Sequence, residues 1–403
     1  MKNIDVKKLT HQVVAQALGE TYMLEHGYLE AIPADKLADV GKDIANTENS
    51  IEKATKAMLV LLAKHEIYAD DFEPIYKDLM IDRIEWGGFI ERSFIDFADI
   101  MDDPMYNLDT LSGADIAGIE HAYYRPKVAS KIYDEGKGIM IPISIQRSLL
   151  TEAFYSYDAM ASYVAKIRAK VRDTLKLALD RYAAVMVEVG IAISAKATNT
   201  AVYLLTEALN AKVDGITETT TATDALENPA FLRFMAAKLG EVSDNMKIPT
   251  TAYNNGNIPV GASNQKLYMI SKVARKMDVN LYSDTYHLDK IVVDAKRIPM
   301  WQAVNENGVS PSKFTWGATS TVALAADNTN KLGIGTKAVT IDNVAAFMFD
   351  YRAIGMTVFK EYTTSNYTAC ADFWNEFIHS LVNMIVDSTF PMVAFIIGFA
   401  PVG

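Results

Sequence analysis

Along GKGIMIPISIQR the isoleucines fall at every second position, Ile139, Ile141, Ile143 and Ile145, with Met140, Pro142 and Ser144 between them. Period two is the alternation of a half-buried strand. Pro142 has no N–H to give to a ladder, so this strand is expected at a sheet edge or with that side unpaired. SFIDFADI, starting at Ser93, alternates in the same way. Between the two lies MDDPMYNLDTLSGADIAGIEH, a polar stretch rich in Asp and Gly. The pattern is a long loop carried on two strands, Phe94 to Ala122, longer than an isolated domain keeps ordered. A neighbouring subunit would hold it.

The period then changes. Met160, Val164, Ile167, Val171, Leu175, Ala178, Tyr182, Val185 and Val189 recur at steps of three and four, with Lys166, Arg168, Lys170 and Arg172 among the charges on the other faces. This predicts a helix of roughly thirty residues, ~45 Å long, with Gly190 as its expected end. Such a helix is a structural beam. Upstream, the first eighty residues read as short helices with polar joints, including the capping pair Asn49 and Glu52 before the apolar run Ala57 to Ala63.

Downstream, AVYLLTEAL is a weaker segment and TETTTATDALENP is polar. Asn228 and Pro229 are cap and first position of a helix, FLRFMAAKLGEV. NNGNIP reads as a turn, Ser263 or Asn264 as the start of a second amphipathic helix through KLYMISKVARKM, and KIVVDAKRIPMW as a strand. The last part, from KAVTIDNVAAFMF onward, reads as strands, then a helix over Ala371 to Asp387, a turn, and a buried strand. The expected class is α+β. Its parts are a helical N-terminal arm (1–82), strand and extended loop (83–147), long helix (148–194), an inserted α/β domain (195–336), and return strands with a C-terminal helix (337–403).

Composition narrows the function classes. Half of the 403 residues are hydrophobic, 22% are charged and the formal net charge is −11. A surface that acidic disfavours broad phosphate contact, so a general nucleic-acid binder is not expected. A single cysteine, Cys370, permits no internal disulfide. MKNIDVKKLTHQVVAQALGE lacks the apolar core of a signal peptide. Leu381 to Ala400 is apolar enough to consider as a membrane span, but Asn383, Asp387, Ser388, Thr389 and Pro391 interrupt it. A central aspartate costs ~2.5–3.5 kcal/mol on insertion. A soluble, cytoplasmically made protein is expected.

Candidate chemistry is sparse. Glu376 and His379 form the one Glu-x-x-His pair, where a di-metal carboxylate bundle needs two. A helix flank with a local Glu–His pair is the plainer reading. GIGTKA, Gly333 to Ala338, matches a relaxed dinucleotide fingerprint, but polar residues precede it and a strand follows, so a tight turn is expected. Cys370 has no base close in sequence and reads as an inert thiol. Asp102 and Asp103 precede Pro104 and read as turn residues. The basic residues of HAYYRPKVASK, Arg125, Lys127 and Lys131, read as a charged rim meeting an acidic patch on another subunit. No catalytic, metal or cofactor site is expected. Arms and projections without chemistry point to a protein that touches copies of itself.

Three passages carry a likeness. KIYDEGKGIMIPISIQRSLLTEAF, Lys131 to Phe154, resembles the return strand of an extended loop running toward a spine helix. FLRFMAAKLGEVSDNMKIPTTAYNN with KLYMISKVARKMDVNLYSD is similar to the paired helices of an axial domain. VAAFMFDYRAIGMTVFKEYTTSNYTACADFWNEF resembles late peripheral-domain strands. Together these resemble major capsid proteins of tailed double-stranded DNA phages, the Hong Kong ninety-seven type of fold, closest to those of small short-tailed phages. The likeness covers roughly Arg83 to Gly403, and the helical first eighty residues depart from it.

The resemblance implies a self-assembling shell subunit forming hexamers and pentamers around packaged double-stranded DNA that it does not bind specifically. It implies a scaffolding protein and a portal as partners, no membrane, and a place in the virion head. Asp99, Asp102 and Asp103 on the loop, with Arg125, Lys127 and Lys131 on its return, are the expected inter-subunit contacts. Two other readings stay open: an encapsulin-like compartment shell, and a metal-dependent oxidoreductase built on Glu376 and His379.

Overall fold

In a computed structural model, the described residues are 6–28, 32–33, 35–46, 74–80, 90–97, 118–119, 121, 128–133, 136–146, 157–196, 200–255, 258–282, 295–301, 316–324, 338–368 and 373–401. Most of the extended loop, the Asn49–Glu52 cap, the run Ala57 to Ala63, Cys370 and all of GIGTKA but Ala338 lie outside them.

The alternating isoleucines form β3 (Gly136–Gln146), an outer strand of a three-stranded antiparallel sheet. Its partner is β11 (Phe373–Val386), which pairs in turn with β10 (Ile354–Thr368). Pro142 thus sits on a strand with one sheet partner among the described residues, as a missing N–H requires. Ile139, Ile141 and Ile143 are buried on the face that meets the long helix, while Met140 on the opposite face is 54% exposed.

That helix, α4 (Tyr157–Lys196), has 40 residues and therefore reaches ~60 Å. It does not stop at Gly190. A Cβ there would lie 3.0 Å from both Ile354 Cδ1 and Phe347 Cζ, so the glycine serves a close approach of helix to sheet. The stripe expected from Val171 to Val189 is half-buried as far as Val185, and burial spreads beyond it to Leu179, Ala183, Ala184, Met186 and Val187. The second half of α4 is enclosed on nearly every side, and even Asp180 and Glu188 are buried there.

A five-stranded mixed sheet has the order β4-β12-β9-β5-β6. Its members are β4 (Ala201–Tyr203), β5 (Gln265–Ile270), β6 (Lys296–Ile298), β9 (Val344–Asp350) and β12 (Met392–Ile396). Every residue of β9 and β12 is buried, which explains their continuous apolar runs. The sheet takes strands from both sides of residue 336, so the return segment completes the sheet of the inserted region. Helix α5 (Leu204–Asn210) follows β4, while α6 (Pro229–Met246) and α7 (Ser271–Tyr282) pack on one another beside the sheet. Asn228 Oδ1 accepts from the N–H groups of Ala230 and Phe231, and Pro229 fills the first helical position, as the sequence predicts. A short pair, β7 (Val322–Leu324) with β8 (Val339–Ile341), lies against α4.

Two helix expectations are overturned. Residues 265–270 are strand, and the amphipathic helix begins only at Ser271. Phe373–Val386 is strand, so Glu376 and His379 do not share a helix face. In both segments pairing with strands far away in sequence overrode a local spacing of three and four.

The N-terminal arm forms a small layer of its own. Helices α1 (Val6–Leu18), α2 (Glu20–Glu25) and α3 (Leu37–Asn46) bury Val13, Val14, Met23, Leu37, Val40 and Ile44, none of which belongs to the main core cluster. Tyr22 donates to Asp43 Oδ2 at 2.5 Å, tying α2 to α3, and α1 touches α4.

Gly190→Val should destabilise the fold by about 1–3 kcal/mol, since neither Phe347 nor Ile354 is free to retreat from a packed core. Chemical denaturation of the purified subunit measures it, and an unchanged midpoint would mean that helix and sheet separate easily here.

Candidate assembly interface

Strands β1 (Ile90–Ile95) and β2 (Val128–Tyr133) pair antiparallel as a two-stranded ribbon, from Ile90↔Tyr133 at the root to Ile95↔Val128 at the loop end. Alternation gives it two unlike faces. Arg92, Phe94, Lys131 and Tyr133 are on the face toward the body. Glu91, Ser93, Ile95, Val128, Ser130 and Ile132 are on the other, and all six are exposed. Ile95, Val128 and Ile132 expose 70%, 62% and 61% of their surface, and Phe97, just beyond β1, 67%. A two-stranded ribbon is marginal alone, and one with an apolar outer face is a candidate docking element.

The ribbon root is held by one carboxylate. Asp387 follows β11, is fully buried, and begins a tight turn in which its Oδ1 accepts from the Thr389 N–H at 3.1 Å. Lys131 Nζ reaches the same Oδ1 at 3.2 Å, and Arg92 Nη1 reaches Oδ2 at 3.3 Å. Arg92 also donates to the carbonyl of Arg352 at 2.6 Å. Burial pushes the Asp387 carboxyl up, but the Lys131 charge and the hydrogen bonds from Thr389 outweigh it and hold the group below its ordinary value. Burial and the neighbouring Asp387 push the Tyr133 phenol up.

A second buried carboxylate repeats the arrangement at the end of β9. Asp350 accepts from Arg352 Nε at 2.8 Å and Arg352 Nη2 at 3.0 Å, a two-pronged pair, and from the Ser263 N–H at 2.7 Å. Arg352 and these donors keep its carboxyl low against the upward push of burial. Phe390 joins the two ion clusters: Arg352 lies over its ring at 4.6 Å, Arg92 at 5.3 Å, and Phe94 meets it edge-on at 5.4 Å. Ribbon, the β9–β10 turn and the β11–β12 turn are thus one junction.

Of the residues expected to touch another subunit, Asp99, Asp102, Asp103, Arg125 and Lys127 lie outside the described residues. Lys131 is described, and within the chain it reaches Asp387. Sequence reasoning missed Arg92, Asp350, Arg352, Asp387 and Phe390. The available signal was the repeated pattern of an Asp closing an apolar strand with a turn residue two positions later.

Glu376 and His379 are not a metal site. Glu376 is buried on the face shared with Ile143, whereas His379 is on the opposite face, stacked on Tyr362 at 4.7 Å with Thr364 Oγ1 2.9 Å from its Nε2. Among the described residues no group of three or more His, Cys, Asp or Glu is placed to hold a metal ion. Among them, too, no helix is long and apolar enough to cross a membrane.

A family model described as Phi29-like phage major capsid protein matches residues 13–396. The fold is similar to a chain in the capsid structure of Staphylococcus phage Andhra, at TM-score 0.50 and 13% identity, covering 84% of this chain and 87% of that one. It is equally similar to a chain in a structure of the head fiber and inner core protein gp22 of native bacteriophage P68, at TM-score 0.50 and 12% identity, covering 83% and 87%. None of the curated proteins matches the chain. With these matches the compartment-shell and oxidoreductase readings have no support.

Asp387→Asn should cost about 2–3 kcal/mol, less than for a fully buried pair because Lys131 is 45% exposed. It should also raise hydrogen exchange in residues 90–95 and 128–133. Unchanged exchange there would show that the ribbon is held by packing alone. Acid should act the same way. Carboxyls lowered on folding contribute fully above the unfolded value, about 3.9, and that contribution drains away as pH falls through the lower folded values. Asp180, whose carboxyl burial holds up, has the opposite sign and costs less when protonated. The urea midpoint, followed from neutral pH downward, should therefore fall steeply only below about pH 4, and Asp387→Asn should flatten that fall.

Proposed function

The chain belongs to the Phi29-like phage major capsid proteins and forms the head shell, and from that premise we propose that the outer face of the β1–β2 ribbon docks one copy against the next. The observation that carries this is the row Ile95, Val128 and Ile132, apolar, exposed and set on a ribbon whose other face is fastened to the body. A surface of this kind in a shell subunit finds its cover on a neighbour.

The extended loop beyond the ribbon then lies over that neighbour, with Asp99, Asp102, Asp103, Arg125 and Lys127 making charged contacts and Lys131 anchoring its return. The five-stranded sheet with α6 and α7 forms the axial part, α4 the spine, and β3, β10 and β11 the peripheral part. The acidic chain packs beside double-stranded DNA without specific binding, since strong phosphate contacts would hinder filling and emptying the head. A scaffolding protein and a portal assist assembly in the host cytoplasm. The role is structural, with no catalysis and no cofactor.

Negative-stain electron microscopy after a sizing column is the test. The wild-type chain should give shells, tubes or rings. Ile95→Asp with Ile132→Asp should give a subunit that melts as the wild type does yet forms none of these. Deleting Asp99 to Ile119 should do the same. Normal particles from the paired substitution would remove the ribbon face from the interface, and a discrete monomer from the wild-type chain together with its scaffold would overturn self-assembly.

A further inference from the structure

The segment Pro74–Met80 is a strap with ends outside the described residues, reaching both α4 and the five-stranded sheet. It touches four separate elements. The Tyr76 N–H donates to Asp180 Oδ1 on α4 at 2.8 Å, and the Tyr76 ring lies 5.8 Å from that of Tyr268 on β5. Leu79 is buried in the main core, and Met80 bridges Met356 on β10. Asp78, in the single turn of 3-10 helix Lys77–Leu79, meets three donors from one sheet face. Tyr268 Oη donates to its Oδ2 at 2.7 Å, Lys266 Nζ lies 3.3 Å from the same atom, and Lys296 pairs with Oδ1. Lys266 also donates to the Asp78 carbonyl.

The three donors are on one face because the sheet puts them there. Lys266 and Tyr268 are two apart on β5, and Tyr268 is in register with Lys296 on β6. Two lysines set diagonally on one face of adjacent strands repel one another unless an anion lies between them. No other residue of the strap supplies a carboxylate. The slot is therefore a carboxylate receptor made by the sheet, and its occupant comes from a part of the chain far away in sequence. Asp78 is about a third exposed, so water and salt reach the contact.

We propose that the Asp78–Lys266–Lys296 cluster is an ionic latch that fastens the strap to the body of the subunit, so that the strap is a docked element released by screening the latch. It differs from the ribbon junction, whose carboxylate is fully buried. The proposal does not rest on how copies dock.

Hydrogen exchange of the full chain tests it. In Asp78→Asn, residues 74–80 should exchange on the order of five- to tenfold faster than in wild type, while 344–350 at the centre of the sheet stay protected. Raising salt should speed exchange of the strap in wild type and leave it unchanged in Asp78→Asn. Asp78→Asn alone leaves two lysines without their anion, so a triple variant with Lys266→Met and Lys296→Met separates release from general destabilisation. It should recover the melting temperature and keep the fast strap. Wild-type exchange in Asp78→Asn, or a strap indifferent to salt in the wild type, would show that Tyr76 and Leu79 hold it by packing and would overturn the latch.

Discussion

A buried carboxylate cannot stay charged without partners, and Asp387 collects its partners from everything that must be aligned. Its cations come from both strands of the ribbon, Arg92 and Lys131. Its own position is set by the turn that joins the three-stranded sheet to β12, an inner strand of the five-stranded sheet. Had the site been apolar, the ribbon could slide or tilt with little change in energy. Two charged donors on two oxygens leave few orientations. The direction in which the ribbon projects therefore follows from the requirement to keep one charge paired.

Around this point the rest of the body is ordinary packing. Helix α4 is the common wall of both sheets, which explains why its second half is buried nearly all round and why a glycine stands where Phe347 and Ile354 come closest. Arg352 couples the clusters by pairing with Asp350, stacking on Phe390 and lending its carbonyl to Arg92. A cation–π stack of this sort is worth little when wet and more when desolvated, and Phe390 is buried.

Where local pattern and tertiary demand agree, the sequence is a good guide. Ile139 to Ile145 alternate because one face of β3 meets a helix and the other does not, and Asn228–Pro229 caps a helix by purely local chemistry. Where they disagree, pairing at a distance decides. Phe373, Phe377, Leu381 and Met384 have helical spacing, but β11 has a strand on each side. Such apolar runs cannot be assigned from periodicity. Gly190 looks like a stop signal because the reason for it, the approach of Phe347 and Ile354 from strands far along the chain, is invisible locally. Asp387 was legible only as an interruption in an apolar tract. That it closes a strand and opens an Asx turn beside Thr389 becomes informative once Arg92 and Lys131 are seen to converge on it.

A subunit that assembles has to expose apolar surface before it has a partner, and an acidic chain limits the danger. With a net charge of −11, free copies repel at long range and meet productively only where a specific contact outweighs the repulsion. On the ribbon's outer face the exposed apolar residues are interleaved with Glu91, Ser93 and Ser130, so that patch stays small. Its root is rigid, and its own two strands are weak without company. In the proposed docking, a root tied down by Arg92, Lys131 and Asp387 would fix where the neighbour lies.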